Sequence, residues 1–130
     1  MKKDIEIPEV EGVYLAIVSE HNEVYNCQDW YAYLINDKEV SLEMVLILSK
    51  GYGEDKETSA MRHKLEKLAP YSASKIELIQ EDVLKLRNEF RLTFFIGDRL
   101  YEKKYILEPG LKSGDLRIIK QLNKKGVLLK

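Results

Sequence analysis

The chain has 130 residues, 45% hydrophobic and 33% charged, with a formal net charge of −1. This length and balance fit one globular domain (1–130) and exclude a disordered chain. Near-neutral charge supplies no general field for nucleic acid or an anionic membrane, and no apolar run approaches the ~20 residues that span a bilayer. Cys27 is the only cysteine, so a single chain can form neither a disulfide nor a multi-thiolate zinc site, and a reduced, cytoplasmic compartment is expected.

Residues 1–12 are charged, contain Pro8 and lack the apolar core of a signal peptide, so they read as a lead-in. Residues 13–19 (VYLAIVS) predict a strand with Val13, Leu15 and Ile17 on one face and Tyr14, Ala16 and Val18 on the other. Residues 21–29 are polar and read as a loop. Residues 30–36 (WYAYLIN) predict a second strand and 40–49 a third, whose run Met44–Leu48 lacks alternation, as expected of a strand covered on both faces or at a sheet centre. Residues 51–55 form a loop. Residues 58–68 keep helical spacing at Met61, Leu65 and Leu68 but also place Met61, His63 and Leu65 on one face of a strand, and the strand is preferred beside its neighbours. A short strand over 74–79 and a helical turn within 80–88 follow.

Residues 90–107 predict a long hairpin turning at Gly97-Asp98, because glycine accepts the positive φ of a two-residue loop. That turn fixes the pairs Phe95–Leu100, Phe94–Tyr101, Leu92–Lys103 and Phe90–Tyr105. Phe90, Leu92, Phe94, Tyr101, Tyr105 and Leu107 then share a face that must be buried. Residues 111–130 form a basic and apolar C-terminal extension that adds an edge strand or covers one. About seven short strands with little helix predict an all-β, antiparallel β-sandwich of immunoglobulin-like type.

Leu84, followed by Asn88–Phe94, resembles the corner between the fifth and sixth strands of fibronectin type III and immunoglobulin-like domains. Phe90 stands where those families usually carry a tyrosine, and Trp30 resembles their core tryptophan. Over most of its length the chain also resembles a small uncharacterised family of bacterial proteins, through WYAYLIND (30–37), TSAMRH (58–63) and NEFRLTFF (88–95). Some members of that family bear the label phenylalanyl-tRNA synthetase subunit. A synthetase catalytic domain needs a large ATP-binding sheet that 130 residues laid out in this way cannot hold, so the resemblance implies no catalytic residues.

Two candidate sites emerge. Tyr31, Tyr33 and Ile35 share the outer face of their strand, and such a stripe marks either an interaction surface or a face covered by the extension. Arg62 and His63, with the hydroxyls of Thr58 and Ser59, read either as an anion contact or as edge groups satisfying loop backbone and nearby carboxylates. Tyr52 and Tyr71 are expected to be partly exposed. Cys27 with His21 or His63 lacks any local signature of a thiol nucleophile and its base, and Glu54, Asp55 and Glu57 lack the ligand spacing of a calcium loop. The basic tail (Lys112, Arg117, Lys120, Lys124, Lys125, Lys130) has no interleaved aromatics for stacking on RNA. The expected function is non-catalytic binding of a protein partner or of a second copy, with no cofactor or metal, no membrane and no nucleic acid. A small anion- or ligand-binding protein or enzyme built on 58–63, and a weak nucleic-acid binder built on the tail, are the alternatives.

Overall fold

The computed structural model describes residues 9–111 and 113–129, with the side chain of Ser113 excepted. Most of the predicted lead-in (1–8), Lys112 and Lys130 lie outside the described residues. Two antiparallel sheets form a sandwich of nine strands among the described residues, two more than expected. One sheet has the order β5-β2-β1-β9-β8, and the other β4-β3-β6-β7. The strands are β1 (Val13–Asn22), β2 (Cys27–Asn36), β3 (Leu42–Tyr52), β4 (Met61–Leu68), β5 (Ser72–Ile79), β6 (Arg87–Ile96), β7 (Arg99–Leu107), β8 (Arg117–Ile119) and β9 (Lys124–Leu129), with a helical turn α1 (Glu81–Leu84). The two extra strands come from the extension, because β9 pairs with β1 and β8 with β9.

Strand alternation explains the layering. In β1, Val13, Leu15 and Ile17 face the inter-sheet core, while Ala16 and Val18 belong to a second apolar cluster on the outer side. The β6–β7 hairpin has the expected register, Phe90↔Tyr105 through Phe95↔Leu100. Its turn carries a positive φ at Gly97 and not at Asp98, the pattern of a type II′ loop. Phe90, Leu92, Phe94, Tyr105 and Leu107 are buried, and Phe94 stacks on Tyr101 at 5.3 Å. Residues 58–68 resolve as strand from Met61 onward, and the polar stretch 21–29, read as a loop, instead continues both strands of the β1–β2 hairpin. Asn22 makes that extension possible. Its Oδ1 accepts from the N–H groups of Val24 (3.0 Å) and Tyr25 (3.2 Å), so the side chain closes the turn.

Two buried polar side chains tie the sandwich together. The Tyr105 hydroxyl in β7 donates to the Val13 carbonyl in β1 at 2.6 Å, across the two sheets. Asn36 Nδ2 donates to the carbonyls of Val40 (2.8 Å), Leu68 (3.2 Å) and Ala69 (3.0 Å), so one amide holds the β2–β3 and β4–β5 connections together.

Candidate functional site

The Tyr31/Tyr33/Ile35 stripe lies on the outer side of the five-stranded sheet, as strand alternation requires, but it is not an open surface. Tyr33 is 8% exposed and Ile35 1%, packed with Ala16, Val18 and Ile119, with Leu122 and Leu128 of the extension against the cluster. Of the two readings the sequence left open for this stripe, coverage by the extension holds for these two residues. Tyr31 stays half-buried, with Lys75 Nζ 3.9 Å from its ring centre. Beside it, Glu20 accepts from the Tyr33 hydroxyl, from Lys75 (3.1 Å) and lies 3.5 Å from Lys124. Burial raises the Glu20 pKa, but the Tyr33 hydrogen bond and the Lys75 and Lys124 ammonium groups outweigh it and hold the carboxyl below its ordinary range. Burial, then the bond to Glu20, pushes Tyr33 up. Burial lowers Lys75, yet Glu20 more than compensates and its pKa is raised.

The segment 58–63 divides. Thr58 lies before β4, where its hydroxyl accepts from the Gly51 N–H (2.8 Å) and donates to the Ser59 carbonyl (3.1 Å). Arg62 pairs with Leu48 and His63 with Ile47, so the two side chains take opposite faces of the sheet and do not converge on one anion. His63 points between the sheets. Its Nε2 lies 3.0 Å from Glu77 Oε1 in β5, and the Ser49 hydroxyl donates to that same oxygen at 2.7 Å. These contacts join β3 and β4 of one sheet to β5 of the other along an open side of the sandwich. Ser49 and His63 share a carboxylate oxygen rather than bonding each other, which is not the nucleophile–base–orienter geometry of a hydrolytic triad. Next to them a cleft of about 270 Å³ is lined by Ser49, Thr58, Ser59, Met61, Glu77 and Asn88 among others. The charge the sequence reading placed here was cationic, whereas the charge inside the cleft is the Glu77 carboxylate. Tyr52 sits half-buried at the end of β3 under Lys50 (5.3 Å to its ring centre), and Tyr71 is exposed in the β4–β5 turn at a positive φ.

The outer face of the four-stranded sheet was missed in the sequence. β3 does lie within its sheet, but only its inner face is covered. Leu46 and Leu48 are half-buried on the outer side beside Thr93 and Phe95, with Met44 71% and Leu100 45% exposed. Met44 occupies a register irregularity at a positive φ (48°), unusual for a residue with a long side chain, and the irregularity turns it outward. Register places charged side chains around this apolar strip. One cross-strand row is Lys64–Leu46–Thr93–Glu102 and the next Arg62–Leu48–Arg91–Lys104. Lys104 pairs with Glu89 at 3.1 Å and Arg91 adds to the positive charge beside the same carboxylate, while Arg62 makes no ion pair among the described residues. Shallow depressions of about 510 and 600 Å³ overlie the strip. The only sequence signal for it was the unbroken run Met44–Leu48, which a strand buried on both faces shares.

Cys27 is exposed and pairs with Asn22, while His21 pairs with Gln28 and projects to the other face, so no thiol–imidazole pair forms there. Among the described residues no cluster of three His, Cys, Asp or Glu side chains is placed to hold a metal ion, and no helix is long and apolar enough to cross a membrane. No family model, curated protein or solved structure matches the chain.

Proposed function

We propose that the protein is a non-catalytic, cytoplasmic binding module that engages protein surfaces through the outer face of its four-stranded sheet. The observation carrying this reading is the run of half-buried Leu46, Leu48 and Phe95 with exposed Met44 and Leu100 on a sheet face that no described strand or helix packs across. Strands about 4.8 Å apart and outward rows about 6.8 Å apart give such a face roughly 500 Å², below the ~800 Å² that each partner contributes to a standard stable interface. The contact is therefore weak and transient. Arg62, Lys64, Arg91 and Lys104 are matched on this face by Glu43, Glu66, Glu89 and Glu102, so apolar area rather than net charge marks the strip.

The immunoglobulin-like reading is supported by strand order. The first, second and fifth strands share one sheet and the third, sixth and seventh the other, as in immunoglobulin domains, while the fourth lies beside the third instead of the fifth. Leu84 and Phe90 both pack in the core cluster, as the corner resemblance implies. The family-like strings at 30–37, 58–63 and 88–95 fall largely on β2, β4 and β6, so that resemblance bears on scaffold.

The test is capture from native cytoplasm by wild type, Leu46→Lys/Phe95→Lys and Arg62→Glu/Arg91→Glu, all shown to be folded. Capture that both variants lose, and that weakens with salt, is expected. Capture that survives both variants overturns the proposal. Sedimentation of wild type alone separates the occupants, since concentration-dependent dimers lost in the variants would make the second copy the partner.

A further inference from the structure

The geometry points to a second site, independent of the outer face: the cleft beside Glu77 binds a small organic cation, a primary ammonium on a short alkyl chain, with Glu77 as its counter-ion. The Glu77 side chain is 10% exposed, and its only ionic partner among the described residues is the His63 imidazole at 3.0 Å. Ser49 and His63 both engage Oε1, leaving Oε2 without a hydrogen bond among the described residues. No buried side-chain oxygen among the described residues lacks a partner, so Oε2 is the oxygen still open to solvent and free to accept, and an ammonium supplies donor and charge together. Lys50, the cation at the cleft wall, is instead held by Glu57 at 3.3 Å. Met61, 49% exposed and on the same face of β4 as His63, forms an apolar lip suited to an alkyl chain. A volume of about 270 Å³ admits only a small group, below the ~300 Å³ at which pockets for drug-sized ligands begin. Arg62, which would have favoured an anion, lies on the opposite face of β4.

A free alkylamine and a lysine side chain carry the same chemistry, so the isotope-labelled chain is titrated with both, as n-butylammonium chloride and Nα-acetyl-lysine amide, followed by NMR. Sodium butyrate and butan-1-ol serve as matched controls. Saturable shifts at Ser49, Met61 and Glu77 with the ammonium probes alone are expected, and the tighter of the two probes identifies the source. Glu77→Gln should weaken binding about tenfold or more, as loss of a charge-assisted contact implies. Met61→Trp closes the mouth without touching the Ser49–Glu77–His63 contacts and should abolish binding, which decides the matter should Glu77→Gln fail to fold. Leu46→Lys should leave binding unchanged. Equal shifts from butan-1-ol, unaltered affinity in a folded Glu77→Gln or in Met61→Trp, or no saturable shift overturn the site.

Discussion

Gly126→Ala tests whether the C-terminal extension covers the Tyr31–Ile35 face. Gly126 opens the pairing of β9 with β1 opposite Val18 and is flanked on its other side by Arg117 of β8. A Cβ built there falls 2.4 Å from the Ile17 carbonyl oxygen and 2.9 Å from Ile119 Cδ1. The first obstacle is backbone of a central strand, so no side-chain rotation relieves it. Two effects oppose each other. Replacing glycine by alanine stabilises by about 0.4–1 kcal/mol through the unfolded chain where the native backbone tolerates it. Overpacking of a tight site destabilises by about 1–3 kcal/mol. With a backbone contact this short the second wins, and a net loss of about 1–2 kcal/mol follows. Urea unfolding measures the loss, and hydrogen exchange locates it. The amides of β1 that face β9 should exchange faster, while those of β6 and β7 should change only with global stability. A variant as stable as wild type, with these β1 amides exchanging equally fast in both proteins, would refute the docking of β9 and return Tyr33 and Ile35 to solvent.

Tyr105→Phe removes the hydroxyl that donates to Val13 across the sheets and should destabilise by about 1–3 kcal/mol in chemical unfolding, because the buried carbonyl loses its donor. Burial pushes the Tyr105 phenol well above its ordinary value, so it should be the last tyrosine to ionise in an alkaline ultraviolet titration of the folded chain. The Glu20 carboxyl has a folded pKa below its unfolded value. Its contribution is therefore complete above the ordinary carboxylate range of about pH 4 and is lost as pH falls through the folded value. Glu20→Gln should flatten the acid limb of stability against pH. Tyr33 and Lys75, both raised, contribute fully below their ordinary values near pH 10 and lose that contribution as pH rises through the folded ones. Tyr33→Phe should accordingly soften the alkaline limb, and identical profiles in wild type and variant would remove this role of the network.

Most of the scaffold was legible because it follows from short-range rules. Gly97 between two alternating runs set a turn, and with a period of two the turn set every partner from Phe90 to Tyr105. The faces of β1 and β2 followed by the same alternation. The legible part ended where one residue acts through space. Nothing around Asn22 distinguishes a loop asparagine from one that closes a hairpin and prolongs both strands. In the extension, Arg117–Ile119 and Lys124–Leu129 are apolar enough for strands, but their docking on β1 depends on Gly126, whose lack of a side chain matters only once Ile17 lies against it.

The two sites escaped the sequence for related reasons. Alternation alone separates Arg62 from His63, since adjacent residues of a strand cannot share a face, so preferring strand for 58–68 already argued against the anion contact. Ser49 and Glu77, by contrast, are 28 residues apart, and only the stacking of β5 over β3 and β4 brings that carboxylate to His63. The outer strip has a different origin. Leu46 and Leu48 look like core in a sequence because the run Met44–Leu48 is apolar on both faces, yet the sandwich supplies only one apolar layer to β3. A central strand that keeps leucines on its solvent side lowers solubility without adding to the core. That combination is hard to account for by folding, and it is what separates the strip from the covered Tyr33 face, where the same kind of residues are used to dock the chain's own C-terminal strands.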